Sequence, residues 1–223
     1  MVFNSVQYAL FLPVVVALYW RLPHRGQNWL LLVSSYVFYG AWDWRFVGLM
    51  MLSTVTDYTV GRMLAASADE RRRRRIFAIS LIVNLGVLGF FKYFDFFVGS
   101  AHRLMASLGI DLPEPVLEIV LPVGISFYTF HGISYTFDVF RRHIEPARDL
   151  LSFAVFVAFF PQLVAGPIGR AHLQLPQFER PRHRPRGPEV TRALELILLG
   201  LFTKVALADV VAPVANQAFA GAG

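Results

Sequence analysis

The chain of 223 residues contains no cysteine, so disulfides, thiolate nucleophiles and cysteine-ligated metals are excluded within it. That absence leaves the redox compartment open. Charge is scarce too: Asp, Glu, Lys and Arg make up 16% of residues, whereas AVILMFWYC make up 56% before the 16 glycines are added. Soluble domains hold roughly 45–50% apolar residues with glycine included, so the composition argues against a soluble enzyme and for a membrane protein. No HExxH, P-loop, GxSxG or dinucleotide fingerprint is present, which removes the common sequence-readable metal, nucleotide and serine-hydrolase sites. The first twenty residues lack a basic n-region and a small-residue cleavage site, so this apolar segment is expected to be kept rather than removed as a signal.

What is present is a series of apolar runs. At about 20 residues per crossing, spans are predicted over 3–20, 28–42 (short, ending at Trp42 and Trp44), 46–64, 76–98, 119–140 and 190–211. The run 150–169 is long enough to cross but is broken near its end by FFPQLVAGPIGR, where Pro161, Gly166 and Pro167 disfavour a continuous helix. Broken backbone at membrane depth persists only where protein or a wet cavity satisfies its freed polar groups. The expected fold is therefore all-α and polytopic, with about six transmembrane helices plus a re-entrant broken helix. Pro161, Gln162, Gly166, Pro167 and Arg170 are its expected wall residues.

Charge sets the expected orientation. If 150–169 dips in and returns, one face holds Arg21, Arg25, the five arginines 71–75, Arg141, Arg142, Arg148, Arg170, Arg180, Arg182, Arg184, Arg186 and Arg192. These are 16 of the 21 basic residues, against Arg45 and Arg103 opposite. A full crossing would reduce the split to 10 against 8. The positive-inside rule favours the re-entrant reading, with residues 65–75 and 170–189 as basic cytoplasmic loops. The net charge of +6 follows from these loops; it reads as a topology signal and an attraction to anionic headgroups, not as a nucleic-acid footprint. The basic stretch 171–188 also offers a surface to an anionic cofactor, such as a nucleotide-bearing one.

Ionisable groups inside spans are functional candidates by default. Asp57 and Asp138 have no local partner, although Asp138 lies near Arg141 and Arg142; Lys92 and Asp95 are three apart and able to pair. Lys204 and Asp209, five apart, do not share an α-helical face and are expected to find partners on other helices. His131, mid-span with Ser134 and Tyr135 on its face, is a candidate base, with hydrogen bonding to a neighbouring helix as the structural alternative. Gly86, Gly89, Gly124 and Gly132 read as close-packing positions. No residue set has metal-ligand spacing.

The segments NWLLLVSSYVFYGAWDWRF, GFFKYFDFF, LPVGISFYTFHGISYTFDVFRR, FAVFVAFFPQLVAGPIGR and LGLFTKVALAD occur in an order that resembles the N-terminal part of the membrane-bound O-acyltransferase family, nearest its bacterial alginate O-acetylation branch. The resemblance implies that 1–223 is the first part of a single membrane domain, a partial ring of helices in the bacterial inner membrane. It implies acyl transfer from acetyl-CoA or an acyl carrier on the cytoplasmic side, with no bound cofactor, working with extracytoplasmic polysaccharide O-acetylation proteins. Alginate is the first acceptor implied; teichoic acid, peptidoglycan and cellulose are acceptors of related branches. The family's catalytic histidine is expected beyond Gly223, so His131 does not correspond to it. A transporter or channel using Asp57, Asp138, Lys204 and Asp209, or a non-catalytic scaffold, are the rival classes.

Overall fold

The computed structural model describes residues 3–110, 120–163, 166, 169–221. Pro167 lies outside the described residues, as does the start of the expected 119–140 span. The described residues are all-helical, with no strand among them. Two compact units are resolved, Leu22–Pro181 and Met1–Arg21 together with Arg182–Gly223.

Among its described residues the larger unit holds seven helices: α2 (His24–Asp43), α3 (Arg45–Ala66), α4 (Glu70–Ser107), α5 (Ile125–Phe140), α6 (Leu150–Ala158), α7 (Phe160–Leu163) and α8 (Ala171–Glu179). Its centre is α6, whose residues Ser152 to Ala158 are all buried. A helix apolar on every side belongs in an interior, and α2, α3, α5 and α8 surround this one. Helix starts are fixed by side chains: Asp69 accepts from the Arg71 amide at 3.0 Å, and Asp149 from the Ser152 amide at 2.9 Å. Each carboxylate satisfies one orphan amide and meets the positive end of its helix.

Several boundaries differ from the sequence reading. The arginines 71–75 belong to α4 rather than to a loop; only Ser67 to Asp69 separate α3 from α4. With 38 residues, α4 rises about 57 Å, well beyond the roughly 30 Å hydrocarbon layer, so its basic turns extend past the apolar part. Much of the basic stretch 171–188 is helical as well, as α8. The long apolar element breaks at Phe159 (φ −53°, ψ 104°), two residues before Pro161. Pro161 then sits in the first turn of α7, where its missing N–H costs little.

Of the four expected packing glycines, Gly86 and Gly89 have open space around them. Gly132 does pack closely, since a Cβ there would overlap Asp57 Oδ2, and Gly61 likewise faces the Tyr135 ring. Gly124 is at φ 77°, and a Cβ on it would lie 2.7 Å from the Leu163 carbonyl oxygen.

The smaller unit contains α1 (Val6–Tyr19), α9 (Gly187–Phe202), a π-helical turn (Thr203–Ala208) and α10 (Asp209–Ala220). No residue of α9, the π turn or α10 is buried. Two helices among the described residues are long and apolar enough to cross a membrane, Glu70–Ser107 and Gly187–Ala220.

The π turn corrects the reading of Lys204 and Asp209. In an i→i+5 helix, residues five apart stack, and the two side chains form an ion pair with each other instead of reaching other helices.

Candidate functional site

The break between α6 and α8 exposes main-chain groups that a continuous helix would pair, and side chains from neighbouring helices meet them. The Phe160 amide donates to Ser35 Oγ on α2 at 3.1 Å. The Gly169 amide donates to His131 Nε2 on α5 at 3.1 Å, and the Ala171 amide to Ser134 Oγ at 3.4 Å. At the far end of α8 the Phe178 carbonyl accepts from Asn28 Nδ2 at 2.9 Å. Non-helical backbone inside an apolar body requires this pairing.

One stripe of α5 supplies two of these four partners. His131, Ser134, Tyr135 and Asp138 recur at the three- and four-residue spacing of a helix face. Tyr135 Oη accepts from the Ala147 amide at 3.1 Å, and Asp138 Oδ2 meets His172 Nδ1 at 3.2 Å in the first turn of α8. Asp138 therefore pairs with His172, and with His143 at 3.6 Å. His131 is 1% exposed, with its ring 5.3 Å from that of Phe156. An Nε2 that accepts leaves the neutral ring's proton on Nδ1.

The wall residues divide. Pro161 and Gln162 lie in α7, Gly166 follows as a bend with its amide bonded to the Gln162 carbonyl, and Arg170 stands exposed at the entry to α8. A hydrogen bond from Gln174 Nε2 to Gln162 Oε1 ties the two limbs of the break together. The sequence reading missed Ser35, Asn28, His172 and Gln174; polar residues in otherwise apolar α2 were the available signal for the first two.

Asp57, 1% exposed on α3, accepts from Asn84 Nδ2 of α4 at 2.8 Å. Its other oxygen, Oδ2, has no hydrogen-bond partner among the described residues and lies against Gly132. Asp57 and Asp138 are thus held by separate neighbours, Asn84 for one and His172 with His143 for the other, and are not brought together.

Where α3 and α5 end, Arg73 joins them. Its guanidinium donates to the carbonyls of Leu64, Val139 (3.1 Å) and Phe140 (2.7 Å), while 3% of the residue is exposed. A cation among the last carbonyls of two helices satisfies orphan acceptors and their negative ends together. Beside it lies an open groove of about 640 Å³ lined by Ser67, Arg142, His143 and Glu145 among others. Arg142 is at φ 60°, left-handed for a residue with a Cβ.

Over 222 residues, 99% of the chain, the protein is 41% identical to the probable alginate O-acetylase AlgI of Azotobacter vinelandii and 40% identical to that of Pseudomonas aeruginosa. It is 30% identical, over 94% of the chain, to the peptidoglycan O-acetyltransferase of Helicobacter pylori. The chain spans 44%, 42% and 44% of these relatives' own lengths. No family model and no solved structure matches it. The resemblance read from the ordered segments therefore extends along nearly the whole chain.

Proposed function

We propose that this chain is part of a membrane-bound O-acetyltransferase acting on a polysaccharide hydroxyl. The observation that carries the reading is similarity over 99% of the chain to proteins named alginate O-acetylase. In such a transfer the C–S bond of a thioester breaks, a C–O ester bond forms, and the hydroxyl proton passes to a base. Proximity and general-base assistance are the physical means. The donor is acetyl-CoA or an acyl carrier approaching from the arginine-rich, cytoplasmic face.

In this reading the chain supplies framework. It is a multi-pass protein of the bacterial inner membrane in this reading, a topology that the two long apolar helices and the charge asymmetry support, and Pro161, Gln162, Gly166 and Arg170 shape one wall of the donor's path. Alginate is the acceptor favoured, with extracytoplasmic O-acetylation proteins as partners. The Helicobacter pylori relative favours peptidoglycan as the second acceptor.

The test is acetyl transfer in membranes carrying the complete gene product, supplied with labelled acetyl-CoA and unacetylated alginate or peptidoglycan. Ester label on alginate supports the proposal, and label on peptidoglycan alone moves the acceptor. No label on either, with solute flux in reconstituted vesicles, overturns it in favour of a transporter. A reporter fused after Arg186 that reads as non-cytoplasmic overturns the topology.

A further inference from the structure

We propose that His131 is a positioning residue: its imidazole is a fixed acceptor that holds the returning limb of the broken element against α5, not the base of acyl transfer. The inference deepens the proposed function and rests on that reading for one arm of its test.

Three contacts in register carry it. His131, Ser134 and Asp138 lie on one stripe of α5, and they meet the Gly169 amide, the Ala171 amide and the His172 ring in the same order along the chain. His131 is the deepest rung, and its Nε2 is already occupied at 3.1 Å. To take a proton from a hydroxyl, that nitrogen would first have to release Gly169, leaving a main-chain amide without its partner.

Gly169 completes the fit, because a Cβ there would overlap the Gln174 side chain. A Cβ at this position would displace the Gln174 amide from the place where it bridges to Gln162. Arg170 lies between the two pinned amides and is exposed, so the same bonds fix the direction in which its side chain leaves the limb. Geometry of this kind matters to a bound donor, since small displacements of positioning groups lower rates steeply.

The chain's lack of cysteine makes a direct test available. Ala171 is fully buried and Ala154 is 5% exposed in α6, so Ala171→Cys and Ala154→Cys report local opening at the limb and at the core. H131L is expected to speed maleimide labelling at position 171 about fivefold, the factor for one lost hydrogen bond, and to leave position 154 unchanged. H131Q, which supplies a carbonyl acceptor, is expected to restore the rate to within about twofold. Unchanged labelling at 171, or equal acceleration at both positions, overturns the proposal.

The second arm uses the complete membrane enzyme. H131L is expected to raise the donor KM with kcat and the shape of the pH–rate profile retained, and H131Q to rescue it. A kcat loss of about 100-fold or more with one pH limb gone and no rescue identifies a base and overturns the positioning role. A wild-type enzyme that transfers no acyl group counts against the acyltransferase reading alone; the labelling arm then decides.

Discussion

Lys204 and Asp209 are joined as an ion pair across a π-helical turn, five residues apart with only the apolar Val205, Ala206, Leu207 and Ala208 between them. The turn is what lets the pair close, and the pair is what makes the stretch neutral in a membrane. K204A or D209A alone leaves a single charge near the helix centre, which costs about 2.5–3.5 kcal/mol on the insertion scale. Each single variant is expected to lower the inserted fraction of the Gly187–Ala220 segment in a translocon assay. The swapped K204D/D209K variant is expected to insert like the parent. Equal insertion by all four sequences would show that the pair has no part in it.

Arg73 is the one buried arginine of its run. R73A removes three charged hydrogen bonds to helix-terminal carbonyls, of which that of Val139 keeps the Arg142 amide, and is expected to cost about 3 kcal/mol or more, given roughly 1.5–3 per charged hydrogen bond. R72A and R74A, at exposed positions, are expected to change stability by less than about 0.5 kcal/mol. Thermal midpoints of the detergent-solubilised variants distinguish the three.

Gly132 and Asp57 are expected to be coupled. G132A drives a methyl into Asp57 Oδ2 and is expected to destabilise by about 1–3 kcal/mol. D57A removes the obstruction, so the double variant should lose less than the sum of the singles, by about 0.5 kcal/mol or more. A strictly additive cycle would place the overlap elsewhere.

Ser35 accepts the first amide freed by the break at Phe159. S35A orphans the Phe160 amide and is expected to cost about 1–3 kcal/mol, with faster hydrogen exchange at Phe160 than at the α6 amides. Uniform exchange across both segments would argue against a local role.

The interruption near Pro161 was legible in the sequence because proline and glycine carry their backbone restrictions with them. Its position at Phe159 was not, because the break falls where Ser35 can take the Phe160 amide, and that contact joins residues 125 positions apart. His131 was legible as a polar residue on a face shared with Ser134, as the helical period requires. Its partner Gly169 was not, since nothing local connects α5 to the returning limb. Lys204 and Asp209 were assigned separate partners because a 3.6-residue period was assumed where the chain adopts a wider turn. Arg73 could not be told from its four neighbours, since burial of one arginine among five depends on where two other helices end.

The contacts of Arg73 also imply an order of events in time. Leu64 is nine residues behind it, so the first of its carbonyl partners is already made when Arg73 leaves the ribosome, but Val139 and Phe140 lie 66 and 67 residues ahead. At roughly 5–20 residues per second of synthesis, the guanidinium waits about 3–13 s with one of its three carbonyl partners before α5 arrives. Until then α3 and α4 form a hairpin joined through the Arg73–Leu64 and Asn84–Asp57 hydrogen bonds, and the end of α5 adds the last two partners of Arg73.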